Sequence, residues 1–126
     1  MRAVVGNIDM SLARRLLVVA PDIDLRRSLE FMLKADGYEV VSYPAIGAVK
    51  SLEHFDCTIL DHRAIAPPME TVLSFCRDAI PVVLLAGLPL PWLDEVVFCL
   101  VHKPLLGNSL IAAIESALAA TSPPPK

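Results

Sequence analysis

The sequence predicts one α/β domain, a doubly wound parallel sheet of five strands with helices on both faces. Short apolar runs alternate along the chain with segments of helical periodicity. The apolar runs are almost continuous, as burial of both faces of a parallel sheet requires. No repeat or linker divides the 126 residues, and this length suits a single core.

The elements follow in order from these patterns. The predicted strands cover residues 16–20, 38–43, 57–61, 81–86 and 99–103. The predicted helices cover 24–36, 45–54, 69–79 and 108–120, with a short or rebuilt fourth helix in the Pro-rich segment 87–98. Asp24 is a suitable N-cap for the first helix, and Gly37 is a suitable stop signal.

The composition argues against several classes of protein. The hydrophobic share of 55% is high, but 20% of the residues are charged and no apolar run approaches the roughly 20 residues of a membrane span. A net charge of −3 argues against direct binding to nucleic acid. The N-terminus lacks the apolar core of a secretory signal. The three cysteines lie in apolar runs without metal-ligand spacing, so we expect reduced thiols and a cytoplasmic protein.

In a sheet of this kind, sites form beyond the carboxyl ends of the strands, where the strand order reverses. The sequence places the following residues at those ends: Ala20, Pro21 and Asp22 after the first strand, Asp61 after the third, Ala86 after the fourth and Lys103 after the fifth.

Three segments, "LLVVAPDIDLRRSLEFMLKADGYEV", "FDCTILD" and "VHKPL", resemble the CheY-like receiver domain of bacterial response regulators over roughly residues 15–119. The strand-terminal Asp61 and Lys103 before Pro104 are the most specific pair. The resemblance implies a flavodoxin-like (βα)5 three-layer sandwich at residues 15–120, between an N-terminal extension (1–14) and a Pro-rich tail (121–126). It also implies two-component or phosphorelay signalling, in which the aspartate at the position of Asp61 accepts a phosphoryl group from a histidine kinase.

Several positions depart from the pattern of that family. Its acidic pair, which holds Mg2+, maps onto Ala20 and Pro21. Its strand-four Thr or Ser maps onto Ala86, and its mobile aromatic maps onto Leu100. With Asp61 the only sure carboxylate ligand, Mg2+ would bind weakly at most, and no other metal site or cofactor is convincing. These departures predict a degenerate receiver, or pseudo-receiver.

Three side chains each have two interpretations. Asp22 is either a residual metal ligand or a helix-start residue. Arg63 is either a substitute for the charge of the metal or a solvated loop side chain. Asp61 is either a residual phosphoacceptor or a carboxylate retained to pair with Lys103, whose loss would strand a buried charge.

Three functions are therefore open. The first is a pseudo-receiver that acts by binding a histidine kinase, a downstream response regulator or a second copy of itself as a homodimer. The second is an atypical phosphoacceptor that works through Asp61. The third is a small ligand-binding domain unrelated to phosphorelay. None is a standalone enzyme. Trp92, which with Leu88 and Leu90 is interleaved with Pro89 and Pro91, is the predicted interface anchor.

Overall fold

The computed structural model describes residues 14–79, 81–87, 97, 99–103 and 109–121. Within these residues the chain forms five strands and three α-helices. The strands are Arg15–Val19 (β1), Glu39–Tyr43 (β2), Cys57–Asp61 (β3), Val82–Ala86 (β4) and Cys99–His102 (β5). The helices are Ile23–Ala35 (α1), Met69–Asp78 (α2) and Ser109–Thr121 (α3). The last helix thus includes Thr121, the first residue of the expected tail.

The five strands form one parallel sheet in the order β2-β1-β3-β4-β5. The predicted fold class is confirmed. The order reverses between β1 and β3, so this is the switch point at which the loops after the two strands diverge. The third strand is in the centre of the sheet, and all five of its residues are buried.

Side chains alternate between two buried clusters, because successive residues of a strand point to opposite faces. One cluster packs the sheet against α1 and α3, and it includes Leu16, Val18, Ile59, Leu85, Leu29, Leu33 and Ile114. The other packs the sheet against α2, and it includes Leu17, Val19, Leu60, Leu84, Val72, Phe75 and Cys76. Both faces are covered, as the apolar runs predict.

The N-cap of the first helix lies two residues earlier than expected. Asp22, not Asp24, is its N-cap, and the Asp22 side chain accepts a hydrogen bond of 2.9 Å from the backbone N–H of Asp24. At the other end, Gly37 has a φ of 99° and its N–H donates to the carbonyl of Lys34. A glycine adopts this left-handed conformation without the strain of a side chain, so the predicted stop signal is confirmed.

The predicted second helix over residues 45–54 is wrong. Only a 3-10 turn, Ile46–Ala48, forms there, without a side-chain cap. Gly47 and the β-branched Val49 both lower helix propensity. His54, the expected last helical residue, has a φ of 73°, outside the helical range. Ile46, Val49 and Leu52 nevertheless pack against the α2 cluster, so the loop covers the sheet without a helix.

The predicted rebuilt fourth helix and the predicted interface residues Leu88, Leu90 and Trp92 lie outside the described residues. In the part of the chain that is described, no helix is both long and apolar enough to cross a bilayer.

Candidate functional site

The carboxyl ends of β1, β3, β4 and β5 bring the predicted site residues to one edge of the sheet. Asp61 is in register with Leu85, and Ala86 is in register with His102. The Lys103 N–H donates to the carbonyl of Ala86 at 3.0 Å, which extends the ladder one residue beyond β5. This hydrogen bond fixes the position of the Lys103 backbone, from which the side chain extends.

Asp61 and Lys103 form an ion pair at this edge. The Asp61 side chain is 0% exposed and that of Lys103 is 21% exposed, and Lys103 Nζ contacts Asp61 Oδ1. The other carboxylate oxygen, Oδ2, accepts the backbone N–H of Arg63 at 3.3 Å. Within the protein, Oδ1 therefore has an ion-pair partner and Oδ2 has a hydrogen-bond donor.

His62 lies on the 3-10 turn His62–Ala64 that directly follows β3. Its Nδ1 is 3.7 Å from Asp61 Oδ1 and 3.3 Å from the carbonyl oxygen of Leu85. The sequence predicts no role for this histidine. Its position directly after the strand-terminal aspartate is the signal that could have identified it.

Asp22 and Arg63 pair with one another rather than with Asp61. Arg63 Nη1 is 3.5 Å from Asp22 Oδ2, and both side chains are substantially exposed. The other Asp22 oxygen caps α1. Arg26, for which the sequence also predicts no role, donates from Nη1 to the carbonyl oxygens of Ala20 at 2.8 Å and Pro21 at 3.3 Å. Arg26 follows Asp22 by one helical turn, a spacing that places it beside the strand end.

Solved structures with the same arrangement of strands identify this fold. A response regulator receiver domain protein from Clostridium thermocellum is 20% identical, with a TM-score of 0.69 over 85% of this chain and 95% of that one. Chemotaxis protein CheY4 from Vibrio cholerae is 20% identical, with a TM-score of 0.68 over 84% of this chain and 99% of that one. The chain has the receiver-domain fold.

A third structure with this receiver fold is described as an adenylate cyclase from Rhodopirellula baltica. It is 22% identical, with a TM-score of 0.69 over 86% of this chain and 89% of that one. No family model matches the sequence, and no curated protein matches it. The similarity therefore lies in the arrangement of strands and helices, while the chemistry of the site depends on the residues of this chain.

The residues at this edge of the receiver fold do not fit Mg2+, which prefers an octahedral shell of oxygen ligands. Ala20 and Pro21 offer no side-chain ligand, and both oxygens of Asp61 contact cationic or N–H groups. The Asp22 oxygens are used by the helix cap and by Arg63. Among the described residues, no group of three His, Cys, Asp or Glu side chains could hold a metal ion.

The remaining departures from the receiver pattern are apolar and packed. Ala86 is 1% exposed and belongs to the cluster against α2. Leu100 is half-buried and packs against the same cluster. Neither side chain has a hydrogen-bonding atom, so neither can form a polar contact with a charged group added to Asp61.

Two adjoining hollows lie elsewhere, between the loop after the 3-10 turn Ile46–Ala48 and helix α2. Their volumes are about 550 and 440 Å3, and both are lined by Val49, Leu52, Phe75 and Asp78. Neither is lined by Asp61 or Lys103. A ligand site at the switch point, the third predicted function, gains no support from them.

Proposed function

We propose that this chain is a pseudo-receiver: a signalling module of a two-component or phosphorelay pathway that acts by binding other proteins rather than by phosphorylation of Asp61. The observation that carries the proposal is the buried ion pair of Asp61 with Lys103. A carboxylate that is 0% exposed and has a partner on each oxygen is poorly placed to attack a phosphorus atom.

The charges around Asp61 support the same proposal. Phosphoryl transfer is catalysed mainly by positioning and by neutralisation of charge, to which bound metal contributes a large share. Here the acidic pair is replaced by Ala20 and Pro21. The guanidinium of Arg63, one candidate substitute for the metal, is 59% exposed and paired with Asp22. The ammonium group of Lys103 contacts the carboxylate of Asp61 directly.

The output of a pseudo-receiver must come from contacts other than the usual switch. A ligand shifts a two-state equilibrium only through different contacts in the two states. Ala86 and Leu100 offer no polar contact to a modified Asp61. We infer that the module signals when a histidine kinase, a downstream response regulator or a second copy of this chain binds to its surface. We also infer that it is not itself an enzyme.

The cellular setting and the contact surface are part of the same proposal. The buried thiols of Cys57 and Cys76 suit a reducing cytoplasm. Trp92, preceded by Leu88 and Leu90, is the proposed anchor of a homodimer or a regulator complex. Aromatic residues contribute much of the binding energy of protein interfaces.

The test is binding of Mg2+ with beryllium fluoride, a mimic of a phosphoryl group, followed by amide NMR shifts near Asp61 and Lys103. We expect weak binding and small shifts. The matched control is a double variant, Ala20→Asp with Pro21→Asp, which restores the acidic pair and should bind Mg2+ at least roughly tenfold more tightly. Tight Mg2+-dependent binding by the unmodified chain would instead favour an atypical phosphoacceptor.

A further inference from the structure

The imidazole of His62 has one nitrogen held by a backbone acceptor and close to a carboxylate. Nδ1 lies 3.3 Å from the Leu85 carbonyl oxygen and 3.7 Å from Asp61 Oδ1. A carbonyl oxygen and an ionised carboxylate can only accept hydrogen bonds, so Nδ1 must carry the proton. In a neutral imidazole this leaves the lone pair on Nε2.

The exposure of His62 differs sharply from that of its neighbour. The His62 side chain is 39% exposed, whereas Asp61 is 0% exposed. Because the protonated nitrogen faces the strand ends, the unprotonated nitrogen lies at the opposite side of the ring. A histidine whose Nδ1–H is bound by an acceptor presents Nε2 as its basic and nucleophilic atom. At this switch point, His62 is thus the better placed of the two nucleophiles.

We propose that Nε2 of His62, and not Asp61, accepts a phosphoryl group from a small acyl phosphate. This inference rests on the proposed function, in which Asp61 is held in its ion pair with Lys103. In the step, the Nε2–P bond forms while the P–O bond to the acyl group breaks, and the bonding pair leaves with the carboxylate product. The Nδ1 proton stays on the ring, between Leu85 and Asp61.

The charges around the ring favour an anionic electrophile. Lys103 Nζ contacts the same Asp61 oxygen that His62 Nδ1 approaches, so a cation lies close to the ring. Arg63, the next residue, carries an exposed guanidinium. The Leu85 carbonyl selects the tautomer of His62. The Asp61 carboxylate, 3.7 Å from Nδ1, acts as a positioning residue that stabilises the positive charge the ring gains on phosphorylation.

The experiment incubates the whole chain with acetyl phosphate and measures incorporation of one phosphoryl group by intact mass. Fragment mass spectrometry then gives its position. Three variants are compared after circular dichroism confirms their fold: His62→Gln, Asp61→Asn and His54→Asn. His54 is an exposed histidine with a φ of 73°, a conformation that asparagine tolerates, so the His54→Asn variant is the matched control.

We expect a single adduct on His62 that resists hydroxylamine, as a phosphoramidate does and an acyl phosphate does not. It should be lost in His62→Gln, retained in His54→Asn, and formed roughly tenfold more slowly in Asp61→Asn, which removes the negative charge beside the ring. Equal modification of His54 and His62 would overturn the inference, as would the absence of any adduct, and in both cases the proposed function would stand. A hydroxylamine-sensitive adduct on Asp61 would overturn both this inference and the proposed function.

Discussion

Lys103 Nζ reaches across β4 from the end of β5 to contact Asp61 Oδ1 at the end of β3, while Asp61 itself is fully buried. The two residues are 42 positions apart in the sequence. Removing a carboxylate from water has a large unfavourable desolvation free energy. The ammonium group of Lys103 offsets this cost for Asp61 only while it is present. The pair is therefore expected to affect stability asymmetrically.

Lys103→Met should lower the free energy of unfolding by roughly 3 kcal/mol, because it strands the buried carboxylate. Asp61→Asn should cost less, since Lys103 is partly exposed and its ammonium can turn to water. The double variant should recover part of the loss caused by Lys103→Met. Urea unfolding of the four proteins measures the coupling, and a coupling energy near zero would show that the two side chains are not paired.

Asp22 is expected to stabilise the fold as a helix cap and not through Arg63. Asp22→Ala should lower the free energy of unfolding by about 1 kcal/mol. Asp22→Asn keeps a capping oxygen and loses only the exposed pair with Arg63, so its effect should be below about 0.5 kcal/mol. If thermal unfolding shows equal losses for the two variants, then the charge of Asp22 matters and the cap does not explain its effect.

Cys76 should make stability fall at alkaline pH. Burial raises the pKa of its thiol from 9.0 to about 11. The unfolded chain therefore releases this proton at lower pH than the folded chain, and the stability that Cys76 contributes is lost as the pH rises from about 9 toward 11. Between about pH 8 and pH 10, the stability advantage of the wild type over Cys76→Ala should shrink by about 1 kcal/mol.

The comparison with Cys76→Ala isolates this thiol, because Tyr38, whose pKa burial also raises, titrates in both proteins. Parallel stability curves for the two proteins over this pH range would contradict the prediction. Reaction of the folded protein with a thiol reagent near neutral pH gives a second measurement, in which Cys76 should stay unmodified until unfolding.

Trp92→Ala should weaken self-association, or binding to a partner kinase, if the segment around it is the proposed interface. Sedimentation at micromolar concentration measures the first, and circular dichroism checks the fold. Phe31→Ala is the matched control, because Phe31 is an aromatic residue that is 79% exposed on α1. A folded Trp92→Ala variant with unchanged self-association and unchanged kinase binding would exclude this surface.

The sequence by itself determined the sheet and most of its helices. Continuous apolar runs predict buried parallel strands, since burial of both faces favours apolar side chains at successive positions. Gly37 marks the end of α1 for a purely local reason, its tolerance of positive φ. The Asp61–Lys103 pair was one of two predicted interpretations of Asp61, because strand ends in a parallel sheet meet at one edge.

The residues near a position were insufficient to predict its structure where the outcome depended on partners far away in the sequence. Asp22 and Asp24 are equally good N-caps by residue type, and Asp22 has the added contact with Arg63, 41 residues away. The predicted helix over residues 45–54 failed because Ile46, Val49 and Leu52 reach the core from an irregular loop. Packing of those side chains stabilises the segment more than the helical hydrogen bonds of a short stretch with Gly47 at its start.

The tertiary structure alone decided how the side chains at the switch point are oriented. His62 is directed by the carbonyl of Leu85, which lies 23 residues further along the chain on the adjacent strand. The guanidinium of Arg63 pairs with Asp22, while only its backbone N–H reaches Asp61. Hydrogen bonds and ion pairs act over a few ångströms in space, so these partners become neighbours only when the sheet has formed.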